Sequence, residues 1–499
     1  MAKQKRQKQQ KNEDPQSAML ARFLPLLNAE QQEALLQELA QPLSPSIRIN
    51  PLKTHDPQVI LTWSKKYQWK TKPIPFCEHG YWITEAAYPA SKTIEHSLGQ
   101  FYIQDAASMI PAELFDFSTS KNPLILDMAA SPGGKTTHLV ARTNDQALIL
   151  ANDSSRDRLT ALKIVLQNWG SSHVAITNYA GELFGSWYPE TFDAILLDAP
   201  CSMQGLREKS SHEIKPITQK EINQLAKRQL KLLESAVSAV KVGGQVVYST
   251  CTLTLEENEM VLNQILEEYP SQLRIDPSLP VFQKLSSPIL SNEQVSLHSD
   301  IKNAARIWPF TFGTAGFFAA RITKIDTINQ KYKTPPLRPL SQANWEPYAE
   351  KELTSLTRNI KDQYGIDLKE LINQHHWEVW QHQNKLHCFP SSFLQHFPDL
   401  PVQWLGLPLA EVAADELLLT HEFVSRFGHL ATRNVFTIAA DQIPAWMRGE
   451  DLTSDYHTNT GMQIIRDPEG RLLGRGYPSG MRLRNLLPNR VLIPDLTRY

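Results

Sequence analysis

The chain has 499 residues, of which 41% are hydrophobic, with a net charge of −1 and four cysteines. This length predicts about three domains, and four scattered cysteines favour a reducing cytoplasm over a disulfide framework. There is no signal-peptide core and no run of about 18 apolar residues, so we expect no membrane span and no membrane partner.

The two ends of the chain are rich in basic residues, although the whole molecule is balanced in charge. "MAKQKRQKQQK" carries five Lys or Arg and no apolar periodicity, which predicts a basic disordered tail over 1–15. A merely solubilising end explains this composition equally well. From Arg466 onwards the last 34 residues hold seven arginines against three acids, so we expect a phosphate-contacting surface there.

In chain order, residues 16–100 predict an N-terminal α+β extension, with two amphipathic helices in 17–40 and a strand in "PSIRINPLK". Residues 101–330 alternate apolar strands with helices, which predicts an α/β, doubly wound parallel sheet. Its predicted strands are 123–127, 147–152, 173–177, 193–198 and 244–249, with a closing strand at 315–325. A proline-rich linker is expected at 331–345, a small α+β region at 346–415 and a β-rich domain at 416–499.

The stretch "LDMAASPGGKTTHLVA", residues 126–141, resembles a phosphate-binding loop. A P-loop needs a glycine where this chain has Ala129, and a Cβ is unfavourable at so tight a curl. A strand, a turn of small residues and a helix starting near Lys135 remain, which is where open α/β sheets bind ligands. Asp153 closes the next strand, 20 residues beyond Gly133, at the spacing of an acid that binds ribose hydroxyls.

Two later strands end in a cysteine segment. Asp198-Ala199-Pro200-Cys201 follows one strand and Thr250-Cys251 ends another. Because the carboxyl ends of parallel strands face the same crevice, we expect both cysteines to meet the loop at 128–135. A single free cysteine is usually a small buried hydrophobe, but two of only four at strand tips favour a chemical role.

These motifs resemble those of the RNA cytosine-5 methyltransferase family. "AASPGGKTT", "LLDAPCS" and "YSTCTLTLEENE" are similar to its cofactor loop, Pro-Cys motif and Thr-Cys motif, and "RIN", "FYIQDAAS" and "GFFAAR" extend the likeness. The strong motifs cover about 101–325. The long C-terminal extension is most similar to a bacterial branch of the family that modifies 16S ribosomal RNA.

The resemblance implies a Rossmann-like methyltransferase sheet, a PUA-like domain at 416–499, and S-adenosylmethionine as cofactor. It implies Cys251 as the nucleophile at carbon 6 of cytosine, Cys201 as the residue that assists its release, and Asp198 at N3 of the base and beside the cofactor. The remaining cofactor residues would be Ala129, Ala130, Ser131, Pro132, Gly133, Gly134, Lys135 and Asp153. The product would be 5-methylcytosine, and we expect a monomer whose partner is 16S rRNA in the 30S subunit or its precursor.

Three positions depart from the family pattern. Ser131 precedes Pro132 where alanine is usual, which is a small change. Met203 stands where the family has a glycine, so the loop is strained if it keeps a glycine-only conformation. Ala180 stands where an aspartate would contact adenine, which predicts a loss of about 1 kcal/mol of cofactor affinity unless Asn178 compensates.

Several alternatives stay open at this point. The substrate could be transfer RNA, and the chain could be a P-loop NTPase or an RNA-binding ribosome-assembly factor with a decayed active site. "HHWEVWQHQNKLHC", residues 375–388, matches no zinc spacing, so we expect no metal there and a hairpin turning at Asn384-Lys385. "EENE", residues 256–259, predicts a helix start, because acids there suit the helix dipole.

Overall fold

The computed structural model describes residues 15–118, 120–207, 216–283, 297–329, 331–413, 416–453 and 461–497. The basic tail expected over 1–15 lies outside the described residues except for Pro15, which begins the first helix. None of the described helices is both long enough and apolar enough to cross a membrane.

The N-terminal part contains the two predicted helices and a four-stranded antiparallel sheet with the order β2-β3-β1-β4. Asn28 starts the second helix with a capping box, in which its side chain accepts from Gln31 N and the Gln31 side chain accepts from Asn28 N. The elements are α1 Pro15–Phe23, α2 Ala29–Leu39, β1 Ser46–Ile49, α3 Val59–Tyr67, β2 Trp69–Pro73, β3 Gly80–Ala86, α4 Ile94–Ser97, β4 Phe101–Ile103 and α5 Ile110–Glu113.

The central sheet confirms the predicted strands. Its strands are β5 Leu124–Asp127, β6 Leu148–Asn152, β7 Val174–Thr177, β8 Phe192–Asp198, β9 Val240–Thr250, β10 Leu273–Ile275, β11 Ala305–Ile307 and β12 Phe317–Lys324. Strands β5 to β9 pair in parallel in the order β9-β8-β5-β6-β7, and β12 closes the sheet antiparallel to β9. The parallel strands are continuous apolar runs because helices cover both faces of the sheet.

Helices of the central part follow the strands, as the alternating pattern predicts. They are α6 Gly134–Arg142, α7 Leu159–Trp169, α8 Phe184–Trp187, α9 Gln219–Ala239, α10 Glu259–Glu268, α11 Pro280–Gln283 and α12 Pro309–Phe312. Leu126 and Ile195, at the centre of the sheet, have no exposed surface. The core therefore lies directly beneath the carboxyl ends of β5 and β8, where the candidate site is built.

The described strands of the C-terminal part are β13 Trp345–Pro347, β14 Trp377–His382, β15 Lys385–Pro390, β16 Trp404–Leu405, β17 Leu407–Ala413, β18 Glu416–Leu419, β19 Val435–Thr437, β20 Leu452–Thr453, β21 Gln463–Arg466, β22 Leu472–Ser479 and β23 Arg482–Asn485. All of these except β16 form two five-stranded sheets, with the orders β13-β14-β15-β17-β18 and β19-β21-β22-β23-β20. The helices are α13 Glu350–Tyr364, α14 Leu368–His375, α15 Ser392–His396, α16 His421–Phe427 and α17 Ile443–Met447.

Strand pairing joins the two C-terminal regions that the sequence suggested to each other and to the central sheet. Strand β18 pairs with β17, so one hairpin spans the boundary expected at 415/416. Strand β16 pairs antiparallel with β7 at the edge of the central sheet. Its two residues are too short a run for the sequence to predict this pairing. The hairpin at 375–388 turns at Gln383-Asn384, one residue before the expected place, because His382 pairs with Lys385.

Arg48 anchors the N-terminal sheet to α6, the helix that follows strand β5. Its side chain is fully buried, and its guanidinium donates to Thr137 Oγ1 at 2.7 Å, Gly134 O at 3.1 Å and Gln104 Oε1 at 3.1 Å. The Trp169 ring lies 4.5 Å from the guanidinium carbon. Burial lowers the pKa of Arg48 to about 10, so the group stays charged at neutral pH.

We expect Arg48→Ala to lower the free energy of unfolding by about 3 kcal/mol, because it leaves several buried acceptors without a donor. The denaturant midpoint of the full chain measures this loss. Arg156→Ala, at an exposed arginine, is the control and should change stability by less than about 0.5 kcal/mol. Equal midpoints for both variants would contradict the anchoring role.

Candidate active site

The two cysteines expected at the strand tips lie in contact. Strands β8 and β9 pair in parallel with Asp198 opposite Ser249, so the segments that follow leave the sheet side by side. The sulfur atoms of Cys201 and Cys251 are 3.3 Å apart, and both residues are partly exposed. Residues 50 positions apart in the chain therefore form one thiol pair.

Asp198, the last residue of β8, joins this pair to the loop between β5 and α6. Its Oδ2 accepts from Lys135 Nζ at 2.6 Å, and its Oδ1 accepts from Ser249 Oγ at 2.8 Å. Lys135 is the second residue of α6, and only 15% of its side chain is exposed. The lysine thus has a partner inside the site and is not a solvent-facing lysine at a helix start.

The loop between β5 and α6 needs its two glycines for different reasons. Gly133 has φ 112°, a conformation that L side chains rarely adopt. A Cβ on Gly134 would lie 2.8 Å from the Tyr102 ring, so only glycine lets that ring cover the loop. The hydroxyl of Thr136, which a P-loop would direct to Mg²⁺, is buried and donates to Asp127 Oδ2 at 2.7 Å.

A cavity of about 330 Å³ opens where these elements meet. Of the residues predicted for the site, those that line it are Ala129, Ala130, Ser131, Pro132, Gly134, Lys135, Asp198 and Cys251. Gly133, Asp153 and Cys201 do not line it, although Cys201 contacts the lining residue Cys251. Lining residues that the sequence reasoning missed include Tyr102, Gln104, Asp105, Ser108 and Arg207, of which the first four lie in or beside the "FYIQDAAS" segment.

Asp153 is a buried carboxylate that accepts a hydrogen bond from the backbone of the loop between β5 and α6. It is 2% exposed, and its carboxylate accepts from Ser131 N at 3.2 Å and Ser155 N at 2.9 Å. Asn178 donates to the backbone oxygen of Asp153 at 2.6 Å, whereas Ala180 is exposed. The ends of β6 and β7 are thereby joined beside the loop.

Met203 adopts the conformation that the family's glycine would allow. Its φ is 55°, in the left-handed region, and its side chain is 47% exposed where it lines the cavity. For a residue with a Cβ this conformation costs about 1 kcal/mol. The loop therefore keeps the glycine-type path at that cost, and the Met203 side chain becomes part of the cavity wall.

Comparison with known proteins identifies the family. The family model of the 16S rRNA methyltransferase RsmB/F matches residues 117–323, and that of the N-terminal domain of 16S rRNA methyltransferase RsmF matches 17–106. The ribosomal RNA small subunit methyltransferase F of Aeromonas salmonicida is 34% identical over 91% of this chain and 92% of its own. The chain belongs to the ribosomal RNA small subunit methyltransferase F family. It is thus an S-adenosylmethionine-dependent rRNA methyltransferase, and the NTPase alternative is wrong.

Further relatives agree with this assignment. The methyltransferase F of Erwinia tasmaniensis is 31% identical over 95% of this chain and 97% of its own. A methyltransferase homologue from Pyrococcus horikoshii shares the fold with a TM-score of 0.52 and 30% identity, over 61% of this chain and 98% of that one. The similarity to the Pyrococcus protein leaves a large part of this methyltransferase F family member unmatched.

The candidate metal ligands are engaged with one another or with the fold. Among the described residues one group has metal-ligand spacing, formed by Cys77, Glu113 and His138. Glu113 accepts from Arg142 Nη1 at 2.6 Å and lies 2.9 Å from His138 Nε2, so a guanidinium already supplies positive charge there. In the segment 375–388, His375 stacks on Trp377 and His387 Nδ1 faces Leu405 O at 3.2 Å.

Most of the C-terminal arginines are structural, which corrects the expected arginine-rich phosphate surface. Arg466, Arg471, Arg475 and Arg490 contact backbone oxygens or carboxylates within the fold. Arg498 lies outside the described residues. Only Arg482 and Arg484, on β23, point to solvent among those that the structure describes. Sequence composition could not separate these two groups.

Asp127 gives the site a pH-dependent contribution to stability. Burial raises the pKa of Asp127 to about 7, although the Thr136 hydrogen bond and Lys135 oppose this shift. Because the pKa in the folded chain lies above the usual value of about 3.9, folding favours the protonated form. The contribution is present in full below pH 4 and is lost as the pH rises through 7.

Asp127→Asn imitates the protonated form, so its stability relative to the wild type should rise between pH 4 and pH 8. Urea unfolding of both proteins across this range measures the difference. Asp157→Asn, at an exposed carboxylate, is the control: its stability relative to the wild type should not change with pH. A difference for Asp127→Asn that does not vary with pH would contradict the raised pKa.

Proposed function

We propose that this enzyme forms 5-methylcytosine in 16S rRNA of the small ribosomal subunit, through a covalent bond between Cys251 and carbon 6 of the target base. The observation that carries the proposal is the pair of sulfur atoms 3.3 Å apart beside a cavity that Asp198 and Lys135 also line. We place the reaction in the bacterial cytoplasm, on the 30S subunit or its precursor.

The residues of the cavity fit S-adenosylmethionine. The loop from Ala129 to Pro132 is made of small side chains, and Gly134 leaves room for the Tyr102 ring above it. We propose that the loop and Lys135 border the methionine part and that Asp153 meets the ribose hydroxyls. When bound, the cofactor supplies a methyl group on a sulfonium, which is open to attack by a carbon nucleophile.

Cytosine carbon 5 becomes such a nucleophile only after a thiolate has added to the ring. The Cys251 thiolate forms a bond to carbon 6, the electron pair of the carbon 5–carbon 6 double bond moves to the carbon 4–carbon 5 bond, and the pair of the carbon 4–N3 double bond moves onto N3. Asp198 faces N3, where negative charge develops. Because Lys135 lies 2.6 Å from the carboxylate, it can supply the proton that Asp198 presents to N3.

Release reverses the addition. After methylation a base takes the proton from carbon 5, the double bond forms again, and the bond between carbon 6 and Cys251 breaks with its electron pair going to sulfur. Cys201 touches this leaving sulfur and can donate its S–H hydrogen bond to the thiolate. Loss of Cys201 should therefore slow release more than it slows addition.

Recognition must bring an unstacked base to the cavity, because carbon 6 is out of reach inside a helix. We propose that the N-terminal extension at 16–100 and a PUA-like domain at 416–499 hold the surrounding RNA. The exposed Arg482 and Arg484 are suited to phosphate contacts.

The deciding experiment measures methyl transfer from labelled S-adenosylmethionine to 30S subunits, naked 16S rRNA and bulk transfer RNA. Wild type should label a cytosine of 16S rRNA, and Cys251→Ala should abolish labelling because it removes the thiolate that adds to carbon 6. Cys201→Ala should accumulate an RNA–protein adduct that survives denaturation. Cys388→Ala, at a buried thiol in another core cluster, is the matched control and should remain active.

Each other outcome points to one of the alternatives that the sequence alone left open. Labelled transfer RNA with unlabelled 16S rRNA would favour the transfer-RNA enzyme. RNA binding without transfer to any substrate would favour a ribosome-assembly factor with a decayed site.

Asp153→Ala should weaken binding of S-adenosylmethionine about tenfold, because it removes a charged acceptor worth about 1.5 kcal/mol. Calorimetric titration of the full chain without RNA measures the affinity. Asp157→Ala is the control, since its carboxylate is exposed on the same connection. Unchanged affinity in Asp153→Ala would exclude the ribose contact.

A further inference from the structure

The segment Glu257-Asn258-Glu259 does more than start helix α10. All three residues are buried, at 0%, 0% and 1% exposure, so they do not form a solvent-facing acidic first turn. Glu259 pairs with Arg306 at 2.8 Å, and Arg306 also donates to Leu253 O at 2.8 Å. The side chains of Glu257 and Asn258 reach in another direction, towards the two cysteine loops.

Glu257 holds the residues on both sides of Cys201. Its carboxylate accepts from Ser202 N at 2.9 Å and also from the Ser202 hydroxyl. Gln229 Nε2 donates both to Glu257 Oε1 and to Pro200 O, each at 2.9 Å. One carboxylate thereby fixes the backbone before and after Cys201.

Asn258 holds the residues on both sides of Cys251. Its Oδ1 accepts from Thr250 Oγ1 at 2.6 Å, and its Nδ2 donates to Thr252 O at 2.9 Å. The two clamps are joined, because the hydroxyls of Ser202 and Thr252 lie 3.0 Å apart. Glu257 reaches the second loop directly as well, accepting from Thr254 Oγ1 at 2.7 Å.

We propose that Glu257 and Asn258 are positioning residues that hold the two thiols in contact, and that the buried Glu257 carboxylate keeps the proton of the pair on Cys201. The two cysteines would otherwise be chemically similar, because both follow a strand and both sulfurs share one contact. A fixed negative charge on the Cys201 side makes a second anion there unfavourable. Cys251 is thus left as the thiolate nucleophile and Cys201 as the hydrogen-bond donor.

The electrostatics of the pair agree with this geometry. The hydrogen bond to Cys251, burial, and the negative charges of Cys251 and Glu257 raise the pKa of Cys201 well above its usual value. Tyr248, on β9, also faces Cys201 and lies near Asp198. Lys135 is held by Asp198, on the other side of that carboxylate from Ser249.

Thiol alkylation tests the proposal without RNA, so its result does not depend on the proposed function. The full chain is treated with iodoacetamide between pH 6 and pH 10, and the labelling of Cys201 and Cys251 is quantified by peptide mass spectrometry. Only a thiolate reacts, so wild type should label Cys251 faster than Cys201. Glu257→Gln should reduce this preference about tenfold, the change that one pKa unit produces.

Three variants separate charge, position and fold. Glu256→Gln is the matched control, since Glu256 accepts from Gln219 on the surface and should keep the wild-type labelling ratio. Glu257→Asp returns the charge on a shorter side chain and should restore much of the preference. Gln229→Leu removes the hydrogen bond to Pro200 O but leaves the charge of Glu257, so the pH midpoint of Cys201 labelling should not change. This variant keeps the proposal testable if Glu257→Gln fails to fold.

A second readout rests on the proposed function. With 30S subunits and S-adenosylmethionine, Glu257→Gln should accumulate the RNA adduct as Cys201→Ala does, because Cys201 no longer supports release. The proposal is overturned if Glu257→Gln keeps the wild-type labelling preference, or if Cys201 is the faster thiol in the wild type. Expected labelling with no adduct in any variant would instead count against the covalent mechanism.

Discussion

The register between β8 and β9 is the constraint on which the site depends. Pairing Asp198 with Ser249 brings the Pro-Cys and Thr-Cys segments off the sheet together, and it lets Ser249 hold the carboxylate of Asp198. A shift of one residue would turn these side chains to the opposite face of the sheet. Burial of both strands on both faces fixes this register, so the hydrophobic core determines the chemistry above it.

Buried arginine and lysine side chains hold the outer domains to this sheet. Arg48 hydrogen-bonds the N-terminal sheet to α6. Lys53 donates to Leu98 O at 2.9 Å, Asn168 O at 2.7 Å and Ser425 Oγ at 2.6 Å. Arg426 adds a contact from α16 to the buried carboxylate of Asp145. Such groups are costly to bury unless every donor finds an acceptor, so they specify one arrangement of the domains around the cavity.

The same requirement explains the pair of clamps behind the thiols. Glu257 is a fully buried carboxylate, and it is tolerated because backbone and side-chain donors from both loops surround it. Its charge is then available to distinguish two cysteines that a neutral clamp would leave alike. Position and protonation of the thiol pair therefore have a common origin in one side chain.

Local sequence pattern predicted the strands of the central sheet, the two cysteine segments at strand ends and the resemblance to the family. Apolar runs of strand length separated by helical segments allow few folds, and the motifs around Cys201 and Cys251 carry their chemistry in their residue types. At Met203 the sequence predicted strain only if the loop kept a glycine-only conformation, and the left-handed φ of 55° comes from the structure.

Tertiary contacts assign several polar residues to the fold or to the site in ways that local pattern does not reveal. Four C-terminal arginines contact groups within the fold, although their clustering predicted a phosphate surface. Glu257 and Asn258 contact the residues next to Cys201 and Cys251, although "EENE" predicted only a helix start. The physical reason is that the role of a charged side chain depends on the groups it contacts, and those groups come from distant parts of the chain. Local periodicity fixes a strand; it does not fix what a buried carboxylate will meet.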